Sequence, residues 1–142
     1  MIDYAVLTVE LETDPNAYGY AALAAAGNDQ GQADILNLRR SGITVYRNDV
    51  SRGDVIGALS LTDYDALPAA RRGLMDAVMR METLDASNAN LRANVLSVFA
   101  PGTQTRASLS ALAQRQGSRA EQLFGTGARV SHQDVAAALG RG

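Results

Sequence analysis

The run Ser131-His132-Gln133-Asp134-Val135-Ala136-Ala137-Ala138-Leu139-Gly140 contains a complete short helix in ten residues. Ser131 opens it and Asp134 follows three residues later. The hydroxyl accepts from the third helical N–H, and the carboxylate reaches back to the N–H of the serine itself. An acid in the first turn also suits the positive end of the helix dipole. Gly140 stands where a left-handed stop is cheapest. The same signal recurs at Ser51-Arg52-Gly53-Asp54, Thr62-Asp63-Tyr64-Asp65 and Ser118-Arg119-Ala120-Glu121, each ahead of a short apolar run. Gly27, Gly42, Gly102, Gly117 and Gly125 likewise follow apolar-periodic stretches and are expected to end helices. The fold class expected is therefore mainly α, a bundle of short helices.

Two helices should be longer. Leu74, Ala77, Val78 and Met81 recur at helical spacing in 69–83, and Leu91, Val95, Val98 and Phe99 do so in 89–100. The short link through Asp85-Ala86-Ser87-Asn88 favours antiparallel neighbours, a central helical hairpin. The first segment, 3–12, reads as helix because Leu7 and Leu11 are four apart, and it should end before Pro15. Ile43-Thr44-Val45-Tyr46 is the one β-like run, a short extended arm over 43–46. No repeat interrupts the pattern, so residues 1–142 are expected to form a single helical domain.

Composition removes several chemistries. The chain has no Cys, no Trp and one His, and its 13 basic residues are all Arg. No cysteine nucleophile, thiolate zinc site, P-loop lysine or lysine Schiff base can be built from it. His132 reads as an exposed helix-start residue. Asp63 and Asp65 read as first-turn acids. Glu10 and Glu12 diverge if their segment is helical. Gly125-Thr126-Gly127 is a turn and not a dinucleotide fingerprint, because the third glycine and the preceding strand are missing. The expectation is a protein that is not an enzyme and binds no cofactor or metal.

The net charge of −2 hides a gradient: residues 1–102 sum to −5 and residues 103–142 to +3. Such a split is a docking signal between subunits. Leu109 to Phe124 also has the rhythm of a helix-turn-helix, with Gly117 in the turn and Ser118, Arg119 and Gln122 facing a groove. The acidic remainder argues against a wide phosphate-binding surface. No basic leader precedes Asp3, and the Ala-rich stretch 20–26 is too short to cross a bilayer, so a soluble chain is expected.

Two phrases extend this reading. Glu10-Leu11-Glu12-Thr13-Asp14-Pro15, Gly19-Tyr20 and Ala33-Asp34-Ile35-Leu36-Asn37 resemble the opening of a family of small proteins encoded by tailed bacteriophages. The run from Gly117 to Gly125, with Val130 and His132-Gln133-Asp134-Val135, is similar to the same family's end. The resemblance implies a virion structural protein made in the host cytoplasm, a head–tail connector (adaptor or neck) subunit acting by oligomeric packing. It further implies a homo-oligomeric ring against portal or tail-completion proteins, with no membrane and with nucleic acid only through nearby packaged DNA. A DNA-binding regulator, a non-virion assembly chaperone and another tail or capsid accessory protein are the alternatives. The candidate contact residues are the arm and its flank, Arg39, Arg40, Ile43, Val45 and Tyr46, and the basic Arg106, Arg115, Arg119 and Arg129.

Overall fold

The computed structural model describes residues 1–141, and it is mostly helical. In chain order the elements are α1 (Tyr4–Thr13), α2 (Tyr20–Ala25), α3 (Asp29–Asn37), β1 (Arg39–Tyr46), β2 (Val50–Ser51), α4 (Arg52–Ala58), α5 (Leu61–Asp65) and α6 (Ala69–Val78). Then come β3 (Thr83–Leu84), α7 (Ala89–Ser97), α8 (Gln104–Leu112), β4 (Gln114–Ser118), α9 (Arg119–Phe124) and α10 (His132–Ala138). β1 and β4 form one two-stranded sheet. β2 and β3 form another, antiparallel, with Val50 opposite Leu84 and Ser51 opposite Thr83.

The contacts gather into two compact units, where the sequence reading placed no boundary. One is built from Met1–Thr44 and Gln116–Gly142, the other from Val45–Arg115. The chain leaves the first unit inside β1 and returns inside β4.

In the first unit α3 packs against α2, α9 and α10, and α1 packs against α2 and α10. Leu7, Leu11, Tyr20, Leu36, Ala120 and Val135 fill its core. Leu7 and Leu11 are one turn apart, so α1 presents a single buried stripe. Asn37 ties α3 to the strand-free stretch before α10, donating to Val130 O at 2.7 Å and accepting from Val130 N at 2.9 Å.

In the second unit α8 packs against α4 and α7, and β2 against β3 and α4. Its core holds Val55, Met75, Val78, Leu84, Phe99 and Leu109. A small apolar cavity of about 40 Å3 remains between Val50, Val55, Leu84, Leu91 and Leu109.

Three of the four expected capping boxes form, at Ser51/Asp54, Ser118/Glu121 and Ser131/Asp134. Thr62 does not cap, because α5 already begins at Leu61 with Ser60 before it. Its start is satisfied from elsewhere in the unit. Ser60 N donates to Thr105 Oγ1 at 2.8 Å, and Thr105 N in the first turn of α8 donates to Asp63 Oδ2 at 2.9 Å. Two helix starts thus satisfy each other's orphan N–H groups. Thr105 is fully buried as a result.

Other expectations change. Gly42 and Gly117 lie in β1 and β4 and end no helix. The arm expected over 43–46 is the end of a strand that starts at Arg39. α6 stops at Val78, because the chain beyond it is drawn into the β2–β3 pairing. Its buried residues are Met75 and Val78, whereas Leu74 and Met81 are exposed. The core-facing stripe is rotated by one residue from the expected one.

Gln32 on α3 is fully buried, and among the described residues neither its amide nitrogen nor its amide oxygen has a hydrogen-bond partner. A buried amide left unpaired costs about 1–3 kcal/mol. Gln32→Met keeps the length and removes both polar atoms. It is expected to stabilise the protein by about 1–3 kcal/mol, read as a higher urea midpoint at unchanged slope.

Candidate functional site

The segment from Glu10 to Tyr20 is a built local structure. α1 ends at Asp14, whose backbone is left-handed (φ 43°). Its carboxylate then accepts from the N–H groups of Tyr18 at 2.7 Å, Gly19 at 2.8 Å and Tyr20 at 3.4 Å. One aspartate therefore closes the loop and supplies the acceptor that Gly19, before α2, has no side chain to provide. Gly19 sits at φ 91°, a conformation that an L side chain resists. Burial raises the Asp14 pKa, but the three N–H donors outweigh it and hold the carboxyl below its ordinary value.

Tyr20 leads from this loop into the first unit's core. Its hydroxyl donates to Glu10 Oε1 at 3.2 Å, and its ring meets Tyr18 edge-on at 6.0 Å. Glu10 is only 3% exposed. Arg119 grips it with two parallel bonds, Nε to Oε1 and Nη2 to Oε2, both 2.8 Å. The geometry is the planar fork that guanidinium and carboxylate share. Burial, with the Glu10 charge next, raises the Tyr20 pKa far above its usual value, so Tyr20 stays a donor. The Glu10 bond also raises the pKa of Arg119.

The expected contact residues separate on this geometry. Ile43 is buried, and Arg119 is bound to Glu10, so both face inward and leave the set of surface candidates. Arg40 lies over the Tyr18 ring at 4.0 Å. Tyr46 carries Arg92 over its ring at 3.6 Å. Val45 and Arg115 are half-buried, and Arg115 is engaged. Arg39 and Arg129 are exposed. The charge gradient is partly closed within the chain: Glu10 and Asp29, from the acidic part, pair with Arg119 and Arg141 from the basic part.

In place of the alternative helix-turn-helix over 109–124 the chain forms α8, the five-residue strand β4, and α9. Gly117 is buried in that strand, and Arg119, the expected groove reader, is occupied. His132 is exposed in the first turn of α10, and Glu121 Oε2 accepts from Gly127 N at 2.7 Å across the glycine turn. Among the described residues no three His, Asp or Glu side chains gather in a way that could hold a metal ion. No helix among them is long and apolar enough to cross a membrane.

The second unit contains the feature the sequence reading missed in part. A cleft of about 510 Å3 opens between the start of α6, the end of α7 and the start of α8. Arg106 from the candidate set lines it, and so does Arg71. Arg106 Nη1 donates to Phe99 O at 3.1 Å, and Arg71 Nη1 donates to Ser97 O. The floor is apolar, from Leu67, Pro68 and Phe99 among others. Arg71 had no distinguishing sequence signal, since its role depends on where α7 ends.

No family model, curated protein or solved structure matches this chain.

Arg119→Ala leaves Glu10 buried without its counter-charge and is expected to cost about 3–5 kcal/mol in urea unfolding. The double variant Glu10→Met with Arg119→Met should recover most of that loss, because no lone charge remains. Three carboxyls in local caps, Asp14, Asp54 and Asp134, titrate below their ordinary value. A depressed folded pKa stabilises above the unfolded value and loses that contribution as pH falls through the folded one. Stability should thus hold from pH 7 to about 5 and fall below about 4. Circular dichroism melts across that range should show the drop, and Asp14→Asn should flatten part of it.

Proposed function

We propose that this chain is a structural subunit of a tailed-phage particle, an adaptor at the head–tail junction that acts by packing against copies of itself in a ring. In this reading it catalyses no reaction and uses no cofactor. It is made in the host cytoplasm and ends in the virion, with portal or tail-completion proteins as neighbours. The two resembling phrases support the phage assignment, and both fall on built structure: the Asp14 loop and the capped helix α9.

One observation carries the packing reading. Apolar side chains stand at the surface of both units: Val9 at 60% exposure on α1, Leu38 at 55% before β1, and Ile56 at 53% and Leu61 at 73% in the second unit. Single exposed apolar residues are ordinary, but Ile56 and Leu61 also border a common groove with Leu59 and Met79. β1 adds a second support. It runs eight residues against the five of β4, and a strand with an open edge invites another chain. We also read α6 and α7 as the antiparallel hairpin expected from the sequence. The bond from Arg71 in the first turn of α6 to Ser97 at the end of α7 supports that orientation.

The test is mass spectrometry of purified, intact particles. The chain is expected among the virion proteins at a fixed stoichiometry to the portal. Its absence from intact particles would overturn the assignment and leave an assembly factor or regulator.

A further inference from the structure

The cleft of the second unit holds two cations with no anion of their own. Arg71 and Arg106 are anchored on the backbone oxygens of Ser97 and Phe99, which are neutral acceptors. Among the described residues neither guanidinium forms an ion pair. Among the described residues the one acid lining the cleft, Asp63, already accepts from Thr105 N. Each anchor uses one of the five N–H donors of an arginine, so donors remain for a carboxylate. The apolar floor favours a ligand whose acid sits beside aliphatic groups. It disfavours a polynucleotide, whose run of phosphates would meet only two cations.

The same chain displays such a group. α1 turns Leu7, Glu10 and Leu11 inward. Its opposite face carries Val6 at 39% exposure, Val9 at 60% and the exposed Glu12, each three residues after the last. That spacing sets them along one side of the helix. Glu12 has no hydrogen-bond or ion-pair partner among the described residues, and α1 has no basic residue to neutralise it. The groove at Ile56 and Leu61 is the poorer receptor, because Asp76 on its wall repeats the sign of Glu12.

We infer that the cleft between α6, α7 and α8 receives the exposed face of α1 from a second copy of this chain, with Val6 and Val9 on the apolar floor and the Glu12 carboxylate against Arg71 and Arg106. Donor and receptor surfaces differ, so the contact is heterologous, and it yields a ring where the rotation closes and a filament where it does not. The inference rests on the packing reading above and names the surface that reading needs.

Sedimentation equilibrium of the full-length chain over a concentration series, at low and high salt, tests it. The native chain is expected to associate, less so in high salt. Glu12→Arg, on an exposed position, should weaken association about tenfold or more while leaving the circular dichroism spectrum unchanged. Arg71→Glu with Arg106→Glu should do the same, and mixing the two variants should restore association, because each then offers the charge the other lacks. Should the double variant fail to fold, Glu12→Arg and Val9→Ser alone decide the matter. Unaltered association of Glu12→Arg and Val9→Ser overturns this contact while the packing reading stands. A native chain that stays monomeric throughout the series overturns both.

Discussion

The buried bond between Glu10 and Arg119 is the constraint on which the first unit depends. The two residues lie 109 positions apart in the chain. Their pairing is bidentate, nearly shut off from water and completed by the Tyr20 hydroxyl. Removing two charges from solvent is expensive, and only good geometry with full hydrogen bonding makes it tolerable. Everything around the pair serves that geometry. Asp14 fixes the loop that delivers Tyr20. The Ser118 box starts α9 one residue before Arg119, so the guanidinium leaves a rigid helix start. Arg119 Nη1 then finds Gln122 Oε1 at 2.6 Å, which uses a donor that faces away from Glu10.

Electrostatics of this kind changes the meaning of the charge gradient along the sequence. Counted linearly, an acidic body and a basic end look like complementary partners for different molecules. In the folded first unit part of that charge is paired internally, through Glu10–Arg119 and Arg141–Asp29. Arg71 and Arg106 lie in the second unit, where backbone carbonyls hold them and no acid among the described residues forms an ion pair with them.

Local rules made much of the fold legible in the sequence. Ser51, Ser118 and Ser131 with their acids three residues on define helix starts by chemistry that needs no tertiary partner. The segment 3–12 was readable as helix from Leu7 and Leu11, and Glu10 and Glu12 part as a helix requires, one buried and one exposed. What stayed hidden depends on residues remote in sequence. Gly117 looks like a turn residue until β4 is seen beside β1. Thr62 looks like a cap until Thr105 supplies the bonding at the start of α5. The end of α6 at Val78 is set back from the expected one, and the chain beyond it runs to Leu84, whose pairing with Val50 no local periodicity encodes. The cleft was half legible. Arg106 stood out as part of a basic segment, while Arg71 and the apolar floor required the end of α7 to be placed.

The discontinuity of the first unit also sets an order of events at the ribosome. The second unit is one unbroken stretch, Val45–Arg115, and its β2–β3 pair and its core residues are all present once that stretch has emerged. The first unit cannot close then, because Arg119, Val130 and Val135 are still to be made. Until they arrive, Glu10 is a carboxylate without its counter-ion, and Leu7 and Leu36 lack much of their cover. Contacts of such long sequence separation form late and slowly. The nascent stretch 1–44 is therefore open to wrong partners, and emergence of residues 116–141 is the step that makes the first unit whole.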